Sequence, residues 1–230
     1  MVLSYFWKKA LFCLSFLSLG ILLFFSPIFY DIGFPTLSGL SFLVLFLVLL
    51  LLQLILSSSD ESAKTSMSIT FFAVLAGLAS MLRLLPLPMG ASAFFFLPLL
   101  VAHVFGPTFG TVNAALSMLV SAFLGSGMGP WMPYQVAACG LMGMIAGCTK
   151  HRSKYVLIAV SVIAGFAYGI LMNVWFWPSM SETEPGGFWA FYLATSIWWD
   201  ACRAVTNVVF ISIFYDALVR VLKRYQRRMA

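Results

Sequence analysis

Charge is what this sequence has least of. Only 13 Lys and Arg and 7 Asp and Glu occur in 230 residues, 9% of the chain, against 62% hydrophobic residues. A soluble domain of this size ordinarily covers about a quarter to a third of its surface with charged groups. A soluble globule is therefore excluded, and the bilayer is the main solvent. The 2 histidines lack metal-ligand spacing. Among the 4 cysteines, Cys13, Cys139, Cys148 and Cys202, no pair has the two-residue spacing of a redox or zinc motif, which leaves buried structural thiols. No Gly-x-x-x-x-Gly-Lys-Ser/Thr loop occurs, so a phosphate cradle of that kind is missing. The net charge of +6 sits mostly in short basic clusters between apolar runs, where it reads as a topology signal; nucleic-acid binding is excluded on that ground.

What is present is a series of apolar runs. Lipid offers no hydrogen-bond partner, so each run should be helical and should end where Pro, Gly or charge clusters. Eight crossings are predicted, over 10–30, 37–56, 67–85, 91–105, 107–124, 131–148, 155–177 and 188–222. The first follows Lys8 and Lys9 like the start of a signal peptide, but it is too long for one and has no clean small-x-small cleavage site. The last exceeds ~50 Å as a helix, so its tail should project into water. The polar stretch Ser57-Ser58-Ser59-Asp60-Glu61-Ser62 marks a seam. Residues 1–62 read as two additional membrane helices with an anchoring role, 67–222 as a six-helix membrane domain, and 223–230 as a basic tail.

The basic clusters orient the chain. Lys8, Lys9, Lys64, the run from Lys150 to Lys154, and Arg220, Lys223, Arg224, Arg227 and Arg228 fall on one side of eight crossings, which the positive-inside rule makes cytoplasmic. Asp31, Glu182, Glu184 and Arg83 fall on the other, and both termini are inside. A multi-pass membrane protein is expected.

Three constellations carry the chemistry. On the third run Ala73, Ala76, Gly77 and Ser80 project within about 100° of one another. Such a small-residue strip lets another helix approach closely, either inside the protein or from a partner. On the seventh, Gly165, Gly169, Asn173 and Trp177 recur at four-residue spacing, so one face runs from bare backbone to amide and indole, either the wall of a cavity opening outward or a helix contact with a linking Asn and an interfacial Trp. On the eighth, Asp200, Arg203 and Asn207 lie within about 60° of one another, and either charge costs ~2.5–3.5 kcal/mol to insert. They form an ion pair with each other or face a ligand. Gln135, one turn inside the membrane, also needs a partner, whereas Trp131 and Tyr134 suit the headgroup level.

These residues, taken in order, resemble the substrate-binding S component of an energy-coupling factor vitamin transporter. The likeness spans about residues 67–225. It rests on the small strip, Arg83 before Pro86 and Pro88, the Phe105-Gly106-Pro107 turn, the segment from Gly129 to Gln135, the segment from Gly169 to Trp175 with Asn173, and Asp200 with Asn207. The resemblance implies an all-α, six-helix membrane bundle, here preceded by two additional helices. It implies a protein that is not an enzyme and uses no cofactor or metal. Such a component binds a vitamin from outside and topples in the bilayer on a transmembrane T component driven by two ATPase subunits. Cobalamin is favoured, with riboflavin or another vitamin as alternatives. Arg83, Gln135, Asn173, Asp200, Arg203 and Asn207 are the implied polar contacts, and Trp131, Tyr134 and Trp175 the stacking ones. The family's Ala-x-x-x-Ala docking motif reads here as Ala73-x-x-x-Gly77 or Ala76-x-x-x-Ser80.

Two other classes compete. A rhomboid-like protease would need Ser126 near a histidine, but His103 and His151 belong to the opposite face, beyond the ~3 Å that a base must reach. An ion-coupled secondary transporter would use Asp200 and Arg203 as a relay, yet neither an inverted repeat nor a second intramembrane carboxylate accompanies them.

Overall fold

The computed structural model describes residues 62–126, 129, 131–177 and 187–229. The two additional amino-terminal helices, and the acidic residues Asp31, Glu182 and Glu184, lie outside the described residues. Helix is the only regular structure among those described. The order is α1 (Ser62–Arg83), a 3-10 turn (Pro88–Gly90), α2 (Phe96–Phe105), α3 (Pro107–Ser121) continued by a π turn (Ala122–Ser126), α4 (Met132–Gly147), α5 (Lys154–Phe176), α6 (Gly187–Thr195) and α7 (Ile197–Met229). Among the described residues, three stretches are long and apolar enough to cross a membrane, Pro107–Gly125, Lys154–Val174 and Ile197–Arg228, and Thr70–Arg83 and Phe96–Phe105 are shorter apolar helices.

Two expected crossings have a different form. The run 91–105 begins its helix only at Phe96, because Pro86, Pro88 and the positive φ of Gly90, 71°, keep the preceding chain out of helical geometry. At 10 residues α2 spans about 15 Å, half the hydrocarbon core. The run 188–222 is two helices, α6 and α7, parted at Ser196. Backbone bonds from Ser196 N to Tyr192 O (2.9 Å) and from Asp200 N to Ser196 O (3.2 Å) bridge the break, so it is a kink within one path.

The 33 residues of α7 extend about 50 Å, and its basic end does not stand free. Val219 and Leu222 are buried, Tyr225 stacks on Phe71 at 4.4 Å, and Gln226 donates to the Val104 carbonyl at 2.9 Å. Lys223, Arg224, Arg227 and Arg228 occupy the exposed side. At the same end His103 is buried, with Nδ1 2.7 Å from Thr149 Oγ1 and Nε2 3.2 Å from Tyr215 Oη. Both ring nitrogens are thus engaged in helix packing.

Helices α3 and α4 meet backbone to backbone. A methyl group on Gly143 would overlap the Gly110 carbonyl, and one on Gly110 would overlap Ala102. With lipid as the alternative surroundings, this close packing is what holds two apolar helices together. The core beside it is filled by Phe94, Leu100, Met118 and Val136, all essentially inaccessible. Gly143→Leu is therefore expected to cost about 3 kcal/mol or more, beyond ordinary overpacking, because the obstacle is backbone that no rotamer change relieves. Size-exclusion profiles and thermal unfolding of the purified protein check this; a monodisperse variant melting like the parent would refute it.

Candidate functional site

Asp200, Asn173 and Ser121, all buried, and half-buried Arg83, Gln135 and Arg203 lie toward the end of the bundle opposite the basic tail. Asp200, in the first turn of α7, is 2% exposed. Its Oδ1 accepts from Arg203 Nη1 one turn on, and its Oδ2 accepts from Tyr192 Oη on α6 at 2.9 Å. The three-residue spacing places the two charges side by side on one helix. Arg203 also donates to the Gly165 carbonyl at 3.4 Å. Its guanidinium lies 4.9 Å from the centre of the Tyr168 ring and 5.6 Å from that of Phe95, where the ring faces attract a cation.

The glycines of α5 serve this pair. A methyl group on Gly169 would fall on the Asp200 carboxylate, and one on Gly165 would crowd Ala204. Bare backbone at these positions lets α7 seat its carboxylate directly against α5. The series Gly165, Gly169, Asn173 thus forms a helix contact rather than the wall of an outward funnel, because α7 fills the space that the missing side chains leave. Asn173, one turn further, donates to Gly169 O at 2.8 Å and accepts from Ser196 Oγ at 2.9 Å, so the kink between α6 and α7 is tied to the same face.

Arg83 closes α1 and forms the second centre. Its Nη1 reaches Met118 Sδ at 2.7 Å and Ser121 Oγ at 2.8 Å, and Nη2 reaches Gln135 Oε1 at 3.3 Å. Residues 52 positions apart in sequence thus meet across α1, α3 and α4. The buried rings of Phe94 and Phe95 join the two centres. Arg83 lies 5.9 Å from the Phe94 centroid, the rings meet edge to face at 5.0 Å, and Phe95 meets Tyr168 at 5.0 Å. A cavity of about 10 Å³ remains beside the Phe94 and Phe95 rings, bounded by Leu99, Ala114, Cys139 and Met142. That is close to the minimum for one water.

The other expected contacts are more dispersed. Tyr134 is buried and Trp131 is 38% exposed at the start of α4. Trp175 lies in the last turn of α5, its side chain outside the described set. Asn207 sits two turns below Asp200, donating to Ser161 O at 3.2 Å, with its buried Oδ1 lacking a partner in the structure. The small strip of α1 divides. Ala76 and Ser80 are fully buried, and Ser80 Oγ lies 2.7 Å from both Ala76 O and Ser117 O, so α3 covers them. Ala73 is exposed, and a methyl group on Gly77 would meet nothing within 4 Å.

Sequence reasoning missed Phe94, Phe95, Tyr168 and Tyr192. The first two lie in an all-apolar run and look like lipid-facing filler; only the Pro and Gly breaks just before them hint at a chain turned inward. Tyr192 carries no local signal, since its partner is on the next helix. Among the described residues no group of three His, Cys, Asp or Glu is placed to hold a metal ion.

Residues 67–215 match the family model described as ECF transporter, substrate-specific component, which covers more than half of the chain. No curated protein and no solved structure gives a match.

Proposed function

Because the chain belongs to the family of ECF transporter substrate-specific components, a group of multi-pass membrane proteins that work with T and ATPase components on a small-molecule substrate, we propose that it captures a vitamin at the end of the bundle holding Arg83 and Asp200. The observation that carries this reading is the convergence of Arg83, Gln135, Asn173, Asp200 and Arg203 from α1, α4, α5 and α7 around buried aromatic rings. Ionisable groups inside a membrane bundle are costly and concentrate along substrate paths, and the rings suit a flat or apolar ligand body. Cobalamin is the favoured substrate on the family likeness, with riboflavin or another vitamin as alternatives. Arg83 is bonded to Gln135, Asp200 to Arg203 and Tyr192, and Asn173 to Ser196, so a ligand enters by parting side chains now bonded to one another. The contacts of α6, Tyr192 to Asp200 and Ser196 to Asn173, are the ones nearest its path.

The direction follows from charge. The basic end of α7 and the Lys150 to Lys154 turn face the cytoplasm, which puts the polar site outside and both termini inside. Without a phosphate-binding loop in its sequence, the chain relies on two partner ATPases for energy, and the T component docks on the open strip of α1 at Ala73 and Gly77.

Mass spectrometry of small molecules released from protein purified in mild detergent tests the reading. A vitamin in stoichiometric amount, with T and ATPase subunits in the same preparation, is the expected result. Substrate uptake by cells that lack any such ATPase would overturn it and favour an ion-coupled carrier.

A further inference from the structure

The two arginines of the site differ in what neutralises them. Arg203 faces the Asp200 carboxylate. Arg83 bonds only neutral groups, a thioether, a hydroxyl and an amide oxygen, and no ion pair involves it among the described residues. A guanidinium has five N–H donors. Those three bonds leave two donors over, and one of the three goes to a weakly accepting sulfur. Arg83 is neither buried nor fully exposed, so the remaining donors are within reach of an incoming group.

Direction adds to the argument. As the last residue of α1, Arg83 stands where a long side chain ordinarily snorkels toward the headgroups. It turns inward instead, across to Ser121 on α3 and Gln135 on α4, with its Cζ 5.9 Å from the centre of the Phe94 ring. A half-buried guanidinium whose bonds go only to neutral partners has no anionic partner of its own. The planar fork matches a carboxylate or phosphate, to which it can give two parallel bonds.

We infer that the ligand carries an oxyanion, a carboxylate or a phosphate, and that Arg83 is the residue that recognises it, with Gln135 and Ser121 orienting the fork. This rests on the binding role proposed above and narrows its substrate class. A neutral flavin falls outside that class, and a corrinoid belongs only through its phosphodiester.

The test is calorimetry or thermal shift on the full-length protein with matched pairs: biotin and biotin amide, pantothenate and panthenol, nicotinate and nicotinamide, plus cobalamin and riboflavin. Arg83→Gln and Arg83→Lys are measured beside the parent. Expected is binding of an oxyanion-bearing compound that weakens about 30-fold or more in Arg83→Gln and falls between parent and Gln variant in Arg83→Lys, which keeps the charge but loses the fork. Binding of neutral compounds only would overturn the inference while leaving vitamin capture intact. So would an oxyanion ligand whose affinity Arg83→Gln leaves unchanged, or one that both variants weaken equally, which marks a packing role. Failure of every compound to bind the parent would sink the inference and the proposed function together.

Discussion

Asp200→Leu is expected to destabilise the protein by about 3–5 kcal/mol, and the double change Asp200→Leu with Arg203→Met to restore most of that loss. The single change keeps the branched shape that lies against Gly169 but removes the anion. It leaves Arg203 facing the Gly165 carbonyl and two aromatic rings, and leaves the Tyr192 hydroxyl without its acceptor. Neither group reaches water easily, since Tyr192 is 4% exposed and the Arg203 side chain 14%. The double change removes both charges together, and hydrophobic replacement of a buried pair is often neutral or better. Thermal unfolding in nanodiscs measures both. If the ion pair is purely structural, the double variant also binds ligand like the parent; if it belongs to the site, stability returns and binding does not. A single variant that melts with the parent would show that the pair contributes little. A double variant as unstable as the single would point to Tyr192, rather than charge, as the group that suffers.

The second large effect separates two pairs that the sequence leaves equivalent. Gly77→Leu is expected to reduce uptake by the assembled transporter to background while ligand affinity of the isolated chain stays within about threefold. Among the described residues nothing lies within 4 Å of a Cβ placed at Gly77, and Ala73 beside it is exposed, so the added bulk projects where a partner helix would approach. Ala76→Leu and Ser80→Leu should instead cost several kcal/mol of stability, since both positions are fully buried against α3 and Ser80 bonds within it. Uptake assays and binding assays on the same variants check this. Normal uptake by Gly77→Leu would move the docking face elsewhere; loss of binding with normal assembly would make Gly77 part of the ligand site.

How much was legible from the chain depended on distance along it. The Gly106-Pro107 turn was legible because Gly106 takes a φ of 101° that few other residues adopt, and Pro107 opens the next helix where its missing N–H is not needed. The Asp200 to Arg203 bond was legible as an option, since three-residue spacing brings two side chains together on any helix. The Arg83 to Gln135 contact was not. Gln135 reads as an amide in need of a partner and Arg83 as an implied polar contact, but helical periodicity says which face a residue occupies and nothing about which helix covers that face. The same limit left the α5 series open between cavity wall and helix contact: four-residue spacing located the bare stripe, while what fills it belongs to α7.

By itself the sequence determined that this chain lives in lipid, that it is helical, and which few charged and amide groups stand out against the apolar background, since transfer free energies and backbone hydrogen bonding act residue by residue. Only the tertiary structure decided how those groups are shared out. Asp200 neutralises Arg203 against the glycines of α5, Ala76 and Ser80 are covered while Ala73 and Gly77 stay open, and Arg83 is turned inward among neutral partners. Those outcomes depend on which helices pack against which, a property of contacts between residues dozens of positions apart that no local pattern encodes.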